Sequence, residues 1–282
     1  MAQLSDRVKA LVQPHLRTLE PYDPNFTPTR VNLSAKPTNR YPDPMSNDLR
    51  DELAAWHGVS RENVIVGNGG DELLYNFLLA FGGPDRTLVN VPPTFSEYAF
   101  FASLTQTGVC DVWRDPETLL PRADELVAAA GEASLVILTS PNNPTGDVAA
   151  LELVARVCDA CPGLVMVDEA YGEFAGPATS AEALLSEHDN LLVLHTLSKA
   201  FALAGARCGY VIAAPDVIDA LAAVRQIYSV NVLTQAAALA AVRARAEFDP
   251  TVEKIVSERS RLHESLARVE GMRVWPSEGN FV

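Results

Sequence analysis

The sequence predicts an α/β protein built on a mainly parallel, seven-stranded sheet flanked by helices. Short, continuous apolar runs alternate with stretches of helical periodicity from residue 48 onward. Such runs are typical of parallel strands that are covered on both faces. Several chemically distinctive residues directly follow these runs, where ligands bind in sheets of this kind. These observations together favour a small-molecule site along one edge of the sheet.

The predicted elements alternate regularly along the chain. Apolar runs predict strands at residues 64–66, 87–91, 109–113, 135–138, 164–167, 191–194 and 208–213. Helical spacing and capping residues predict helices at 48–56, 73–81, 95–105, 122–130, 151–158, 215–224, 233–246 and 251–269. A further strand is expected at 272–275.

Changes in composition divide the chain into three predicted parts. Residues 1–40 form a proline-interrupted N-terminal arm, with Pro14 breaking a helical pattern. Residues 41–265 form the large α/β domain. Residues 266–282 are expected to begin a small α+β domain that the sequence leaves incomplete.

Charge and hydropathy exclude some classes of partner. The 282-residue chain has a formal net charge of −14, which disfavours binding to nucleic acid or to anionic membranes. It contains no apolar run of eighteen residues and no recognisable secretory signal at its N-terminus. We therefore expect a cytoplasmic protein that acts on small molecules.

The cysteines do not form a recognisable metal-binding pattern. Cys158 and Cys161 make a single C-x-x-C, while Cys110 and Cys208 are isolated. No second pair or nearby histidine completes a zinc site. Buried free thiols in a reducing compartment are the favoured interpretation, and no metal site is expected.

Lys199 is the most distinctive single residue. It is one of four lysines, and it follows the apolar run 191–194 in a setting of small and apolar residues. Burial there would lower the pKa of its amine and favour Schiff-base formation. The residues themselves leave a second interpretation open, in which Lys199 extends from the end of a strand into solvent.

Two further strand ends carry groups that suit an anionic heterocycle. Residues 67–72, Gly-Asn-Gly-Gly-Asp-Glu, join a strand to a helix, where backbone N–H groups can bind phosphate. Asp168 follows the apolar run 164–167 and would pair with a protonated ring nitrogen. A plain turn at 67–72, and a capping or magnesium-binding role for Asp168, remain alternatives.

The remaining candidates complete one set of functions. Residues 140–146 form a rigid turn that offers two asparagine amides. Ser198 and Arg207 can both bind a phosphate. A phosphate site, a ring-nitrogen partner, amide donors and an imine-forming lysine together describe pyridoxal 5′-phosphate.

The chain resembles the fold-type I pyridoxal-phosphate aminotransferases, and within them the histidinol-phosphate aminotransferases. This resemblance covers residues 39–282 and implies the large domain of aspartate-aminotransferase-like enzymes. It is carried by the segments 39–44, 66–73, 92–98, 140–146, 167–171, 196–207 and 276–282.

The resemblance implies a role for each site residue. Lys199 forms the imine with the cofactor and relays protons, Asp168 pairs with the pyridine nitrogen, and Tyr171 and Asn143 bond the ring oxygen. Phe95 stands where the family usually stacks a tyrosine on the ring. The phosphate is held by Gly70, Asp71, Ser198 and Arg207, and by Tyr41 of the other subunit of a homodimer.

The activity that the resemblance implies is transamination. The favoured reaction exchanges the amine of L-histidinol phosphate with 2-oxoglutarate, in histidine biosynthesis. The alternatives are an aromatic amino-acid aminotransferase and a decarboxylase of a phosphorylated amino acid on the same fold. Tyr228 and Asn231 are the candidate substrate-pocket residues.

Two departures from the family pattern concern length. The segment between residues 31 and 41 is shorter than the family's, and the family's small domain lies beyond Val282. We expect the natural protein to be longer at both places, which the intact mass would test.

Overall fold

The computed structural model describes residues 5–19 and 41–282. Most of the predicted arm, including residues 39 and 40 of the first family segment, lies outside the described residues. Within 5–19, helix α1 (Asp6–Leu11) is followed by a 3-10 turn at Pro14–Leu16. Proline therefore ends the helical pattern where the sequence predicts, because it has no N–H to continue the hydrogen-bond ladder.

Seven strands form one sheet. In spatial order they are β1, β7, β6, β5, β4, β2 and β3, and only β7 runs antiparallel to its neighbours. The prediction of a mainly parallel, seven-stranded sheet is confirmed. The strands are β1 (Val64–Gly67), β2 (Thr87–Asn90), β3 (Gly108–Asp111), β4 (Leu135–Thr139), β5 (Leu164–Asp168), β6 (Leu191–Thr196) and β7 (Gly209–Ala213).

Helices cover the sheet on both faces. Across residues 5–19 and 41–282, none of them combines the length and apolar character needed to cross a membrane. After α1, they are α2 (Asn47–His57), α3 (Gly69–Phe81), α4 (Glu97–Leu104), α5 (Ala123–Gly131), α6 (Leu151–Ala160), α7 (Gly172–Ala175), α8 (Pro215–Val224), α9 (Val232–Arg243) and α10 (Asp249–Leu266).

The central strands are buried on both faces, as their apolar sequences predict. Every residue of β4, β5, β6 and β7 is buried. One face packs against α3 and α8, and part of the other packs against α5 and α6. The expectation of double coverage is wrong for β3, whose four residues are all exposed because it is the edge strand next to β2.

The predictions at residues 73–81 and 272–275 need the largest corrections. Helix α3 begins at Gly69, four residues before the predicted start at Leu73, so the glycine segment forms its first turn. Residues 272–275 are not a strand. Instead, the Trp275 indole donates to the Glu117 carbonyl at 3.0 Å, and Arg273 pairs with the Glu117 carboxylate. Side-chain contacts hold this segment, and no strand of the described chain pairs with it.

Gly209, at the start of β7, allows the β1–α3 turn to approach the sheet closely. A Cβ there would lie 2.8 Å from the Gly70 nitrogen, 2.9 Å from the Gly69 carbonyl carbon and 3.0 Å from the His195 oxygen. All three neighbours are backbone atoms, so a side chain would have to displace the chain itself. The position of the α3 N-terminus therefore depends on this glycine.

We expect Gly209→Ala to destabilise the protein by about 1–3 kcal/mol, the usual cost of overpacking. Displacement of Gly70 should also weaken binding of an anion at the α3 N-terminus. Thermal unfolding with and without ligand measures both effects. Gly205→Ala is the matched control, because a Cβ at Gly205 would have no neighbour within 4 Å. Equal effects of the two substitutions would contradict this account.

Candidate active site

A cavity of about 250 Å³ lies at the carboxyl ends of β4, β5 and β6. Parallel strands end at the same edge, so their terminal residues converge there. Nine of the predicted site residues line this one cavity: Gly70, Asp71, Phe95, Asn143, Asp168, Tyr171, Ser198, Lys199 and Arg207.

Asp168, the last residue of β5, is a buried carboxylate held by two donors. Tyr98 donates its hydroxyl to Oδ2 at 2.7 Å, and the Ala170 backbone N–H donates to Oδ1 at 3.0 Å. Burial raises the pKa of Asp168, although these hydrogen bonds oppose the change. No lysine or arginine of the described chain forms an ion pair with it. Asp168 therefore offers its charge to whatever occupies the cavity.

Tyr98 has no role in the sequence prediction, yet it positions Asp168. Its side chain is fully buried on α4, and its hydroxyl also lies 2.7 Å from Thr139 Oγ1 at the end of β4. Burial raises the pKa of Tyr98 well above its usual value, so the hydroxyl keeps its proton and acts as a donor. Phe95 and Tyr98 both line the cavity. Helix α4 begins at Glu97 and not at the predicted residue 95, so Phe95 precedes the helix and helical spacing does not relate the two residues.

Lys199 lies in the turn that follows β6 and is exposed, which corrects the expectation of a buried amine. Its Nζ lies 5.1 Å from the centroid of the Tyr171 ring, within range of a cation–π contact. The amine has no ion-pair partner among the residues that the structure describes. Both Lys199 and Tyr171 line the cavity, so the amine is available there.

A candidate anion site lies where the N-terminus of α3 meets the β6–β7 connection. Asn68, which precedes the helix, makes no side-chain cap to it, so the first N–H groups lack a side-chain acceptor. Arg207 pairs with Asp71 at 2.7 Å. Its guanidinium occupies the space beside Gly69 where the Cβ of any other residue would lie. Helix dipole and guanidinium therefore act together on an anion.

The two asparagines of the turn at residues 140–146 lie in different surroundings. Asn142 is fully buried, and its amide donates to the Pro93 carbonyl at 3.0 Å. Asn143 lines the cavity. The turn is held in place by a buried ion pair between Arg114 and Asp147, at 2.7 Å. Asn143 is therefore the amide that remains available to a ligand.

Three predicted residues do not line the cavity. Tyr41 is 72% exposed and stacks on Tyr228, with ring centroids 4.5 Å apart. Asn231 caps α9, because its Oδ1 accepts from the Thr234 N–H at 3.0 Å. The substrate roles of Tyr228 and Asn231 gain no support from this arrangement, and the role of Tyr41 depends on a second subunit.

Comparison with known proteins agrees with the chemistry of the cavity. The sequence profile of the family described as aminotransferase class I and II matches residues 12–282. The chain belongs to this family. Enzymes of the family depend on pyridoxal phosphate, and this chain is a pyridoxal-phosphate-dependent transaminase.

Individual relatives share most of the chain. A histidinol-phosphate aminotransferase of Corynebacterium glutamicum is 43% identical over 263 residues, which cover 89% of this chain and 70% of the relative. One of Thermobifida fusca is 43% identical over 86% of this chain and 67% of its own length. The structure of a histidinol-phosphate aminotransferase from Sinorhizobium meliloti, in complex with pyridoxal-5′-phosphate, has a TM-score of 0.77 and 28% identity, covering 85% of this chain and 66% of that one.

The cavity suits pyridoxal phosphate on chemical grounds. A ring nitrogen that becomes protonated would supply the positive charge that the buried Asp168 lacks. The N-terminus of α3 and Arg207 suit a phosphate dianion. Lys199 supplies a primary amine at the same cavity, and Phe95 an apolar ring. The residues present therefore fit the group that the family requires.

We expect Asp168→Asn to stabilise the cofactor-free protein. The raised pKa of Asp168 means that ionisation of this carboxyl opposes folding. The cost appears as pH rises above 3.8, the usual value, and is complete above the folded-state pKa. The variant should therefore unfold at a higher temperature near neutral pH, by roughly 2–4 °C for each kcal/mol. The difference should vanish in acid.

Thermal unfolding across pH measures this effect, and the exposed Asp85 offers the control substitution Asp85→Asn. An advantage for Asp168→Asn that grows as pH falls would contradict the assignment.

We expect Tyr98→Phe to lower kcat/KM by about tenfold or more, because a hydrogen bond to a charged group contributes roughly 1.5–3 kcal/mol. The loss of Asp168 positioning should also weaken cofactor affinity, measured by titration of cofactor into the cofactor-free enzyme. Tyr75→Phe is the matched control, since Tyr75 lies on α3 against Phe101 and outside the cavity. Unchanged kinetics in Tyr98→Phe would show that Asp168 needs no such support.

Proposed function

We propose that this enzyme transfers the amine of L-histidinol phosphate to 2-oxoglutarate. The donor's amine-bearing carbon becomes a ketone, and 2-oxoglutarate becomes glutamate. One observation carries the proposal: a histidinol-phosphate aminotransferase is 43% identical over 89% of this chain. At this similarity, shared substrate chemistry is the simplest expectation, and it places the enzyme in histidine biosynthesis.

The proposed mechanism assigns one task to each cavity residue. Pyridoxal phosphate, when bound, supplies an electron sink that stabilises negative charge on the substrate. Lys199 Nζ removes the proton from the donor's amine-bearing carbon and later returns a proton during the second half-reaction. Asp168 holds a positive charge on the ring nitrogen, and the Tyr98 hydroxyl keeps Oδ2 of Asp168 in position.

The remaining residues orient the reacting groups. Gly70, at the start of α3, Ser198 and Arg207 bind the cofactor phosphate, with Asp71 fixing the guanidinium at 2.7 Å. Tyr171 and Asn143 would donate hydrogen bonds to the ring oxygen of a bound cofactor. Tyr171 is itself fixed by an edge-on contact with Phe281, at 5.2 Å between ring centroids. Near-rigid placement of these groups is what makes proton transfer by Lys199 efficient.

A second candidate has its own support. The structure of an L-threonine-O-3-phosphate decarboxylase from Porphyromonas gingivalis has a TM-score of 0.73 and 26% identity, and it covers 85% of this chain. That enzyme acts on a phosphorylated amino acid, and its reaction would release CO2 in place of exchanging the amine. The same lysine and carboxylate can serve both reactions, so the substrate decides between them.

We further propose that the enzyme is a cytoplasmic homodimer with shared active sites. Tyr41 supports this proposal, because its ring is 72% exposed at the surface and stacked on Tyr228. In a dimer, the Tyr41 hydroxyl would bind the phosphate of the cofactor in the partner. Sedimentation of the full chain tests the dimer, and weaker cofactor binding by Tyr41→Phe tests the shared site.

A paired assay tests the reaction itself. L-histidinol phosphate with 2-oxoglutarate should yield glutamate with the highest kcat/KM, phenylalanine should be a poorer donor, and phosphothreonine should release no CO2. Faster turnover of phenylalanine, or release of CO2, would replace the proposal with one of its alternatives.

Lys199→Ala should remove activity with every donor and also the visible absorbance of the lysine-bound cofactor. Lys254→Ala is the matched control, because Lys254 lies on α10 outside the cavity. Retained absorbance in Lys199→Ala would show that another amine binds the cofactor.

A further inference from the structure

A second cavity, of about 430 Å³, lies on the opposite side of the sheet from the active site. Side chains alternate between the two faces of a strand. Thus Leu194 and Thr196 of β6 line the active-site cavity, while His195 between them lines the second cavity. At the end of β5, Asp168 likewise lines the active-site cavity and Glu169 lines the second cavity. The second cavity is therefore built from the immediate neighbours of catalytic residues.

The second cavity is rich in ionisable groups that the transamination mechanism does not use. Glu169 is 2% exposed and His195 is 6% exposed, and both face Glu182. Glu173 also lines the cavity, and burial raises its pKa to about 7. Burial lowers the pKa of His57, the remaining histidine of the cavity. Three glutamates and two histidines therefore share this buried space. Groups that can carry a negative charge outnumber those that can carry a positive one.

Three of these residues point their ligand atoms at one place. The carboxylate oxygens of Glu169 and Glu182 and a ring nitrogen of His195 all lie within 4.8 Å of one another, and they are the one such group in the described part of the chain. His195 Nε2 lies 2.8 Å from Glu182 Oε1. This buried nitrogen therefore faces the Glu182 carboxylate, and it has no hydrogen-bond partner of good geometry in the described chain. Such a nitrogen, aimed at two carboxylates, has the arrangement of a metal ligand.

Neighbouring groups hold the two carboxylates in position, as outer partners do at metal sites. The Ser180 hydroxyl and the Ala181 N–H donate to Glu169, at 2.7 and 2.6 Å. His57 Nδ1 lies 2.8 Å from Oε2 of Glu182, and the other ring nitrogen of His57 lies 2.9 Å from the Tyr210 hydroxyl. Oε1 of Glu182 therefore remains directed towards His195.

We propose that Glu169, Glu182 and His195 bind one divalent transition-metal ion, of the zinc class. Two carboxylates and an imidazole are ligands that such ions accept, at bond lengths of about 2.0–2.2 Å. The ion would supply positive charge to a cavity that three glutamates line. Glu169 adjoins Asp168, so the ion stabilises the strand end that holds the catalytic carboxylate.

Zinc titration of the holoenzyme tests the proposal. The parent protein and every variant in this experiment carry Cys110→Ser. This substitution removes an exposed thiol that would bind zinc by itself. After dialysis against a chelator, the protein is titrated with zinc at mildly alkaline pH, followed by calorimetry and by metal content after gel filtration. One ion per chain is expected, with a rise in unfolding temperature that depends on zinc concentration.

Variants then assign the ligands. Glu182→Gln and His195→Asn should each weaken zinc binding by about tenfold or more. Glu173→Gln is the matched control, because it removes a carboxylate from the same cavity but not from the ligand group, and it should bind zinc like the parent. If Glu182→Gln does not fold, His195→Asn decides in the same way. Absence of zinc from the parent protein, or equal binding by His195→Asn and Glu173→Gln, would overturn the proposal.

Discussion

The active site depends on one buried negative charge. Asp168 is 5% exposed, and the residues described by the structure offer it hydrogen bonds from Tyr98 and Ala170 but no lysine or arginine partner. A carboxylate in this setting is costly to ionise, and the raised pKa of Asp168 expresses that cost. A protonated ring nitrogen of a bound cofactor would lower this cost, so cofactor binding would release unfavourable free energy at the end of β5.

Side chains alternate between the two faces of a strand, so neighbouring residues at the strand ends line two different cavities. Because successive side chains point to opposite faces, Asp168 and Glu169 cannot share a cavity, and neither can Thr196 and His195. One face of the sheet lines the candidate active-site cavity. The other carries the buried carboxylates and histidines of the second cavity.

Local sequence patterns predicted the parts of the site that follow apolar runs. Asp168 and Lys199 each come after a strand-like segment, and Arg207 lies close to the lysine in the chain, so convergence followed from sheet topology alone. Tyr98 escaped prediction because its contact with Asp168 depends on how α4 is oriented against β5. The exposure of Lys199 likewise depends on the packing of a turn, which small and apolar neighbours do not determine.

Longer-range arrangements were harder to predict for the same reason. Glu169, Glu182 and His195 come from three separate elements, so no short spacing marks them as a group. Asn231 is a candidate pocket residue in the sequence, and in the structure its position just before α9 makes it a helix cap. At residues 272–275 an apolar pattern suggested a strand, but a strand requires a paired neighbour as well as a suitable sequence.

The reversed direction of β7 has a mechanical consequence. The strand returns beside β6 without a crossover helix, so the chain leaves the sheet at Thr196 and re-enters it at Gly209, at the same edge. Lys199 and Arg207 therefore belong to one short loop anchored at both ends by neighbouring strands. The amine of Lys199 and the guanidinium of Arg207 are therefore placed by the same pair of strand ends, so a shift of this loop would move both groups.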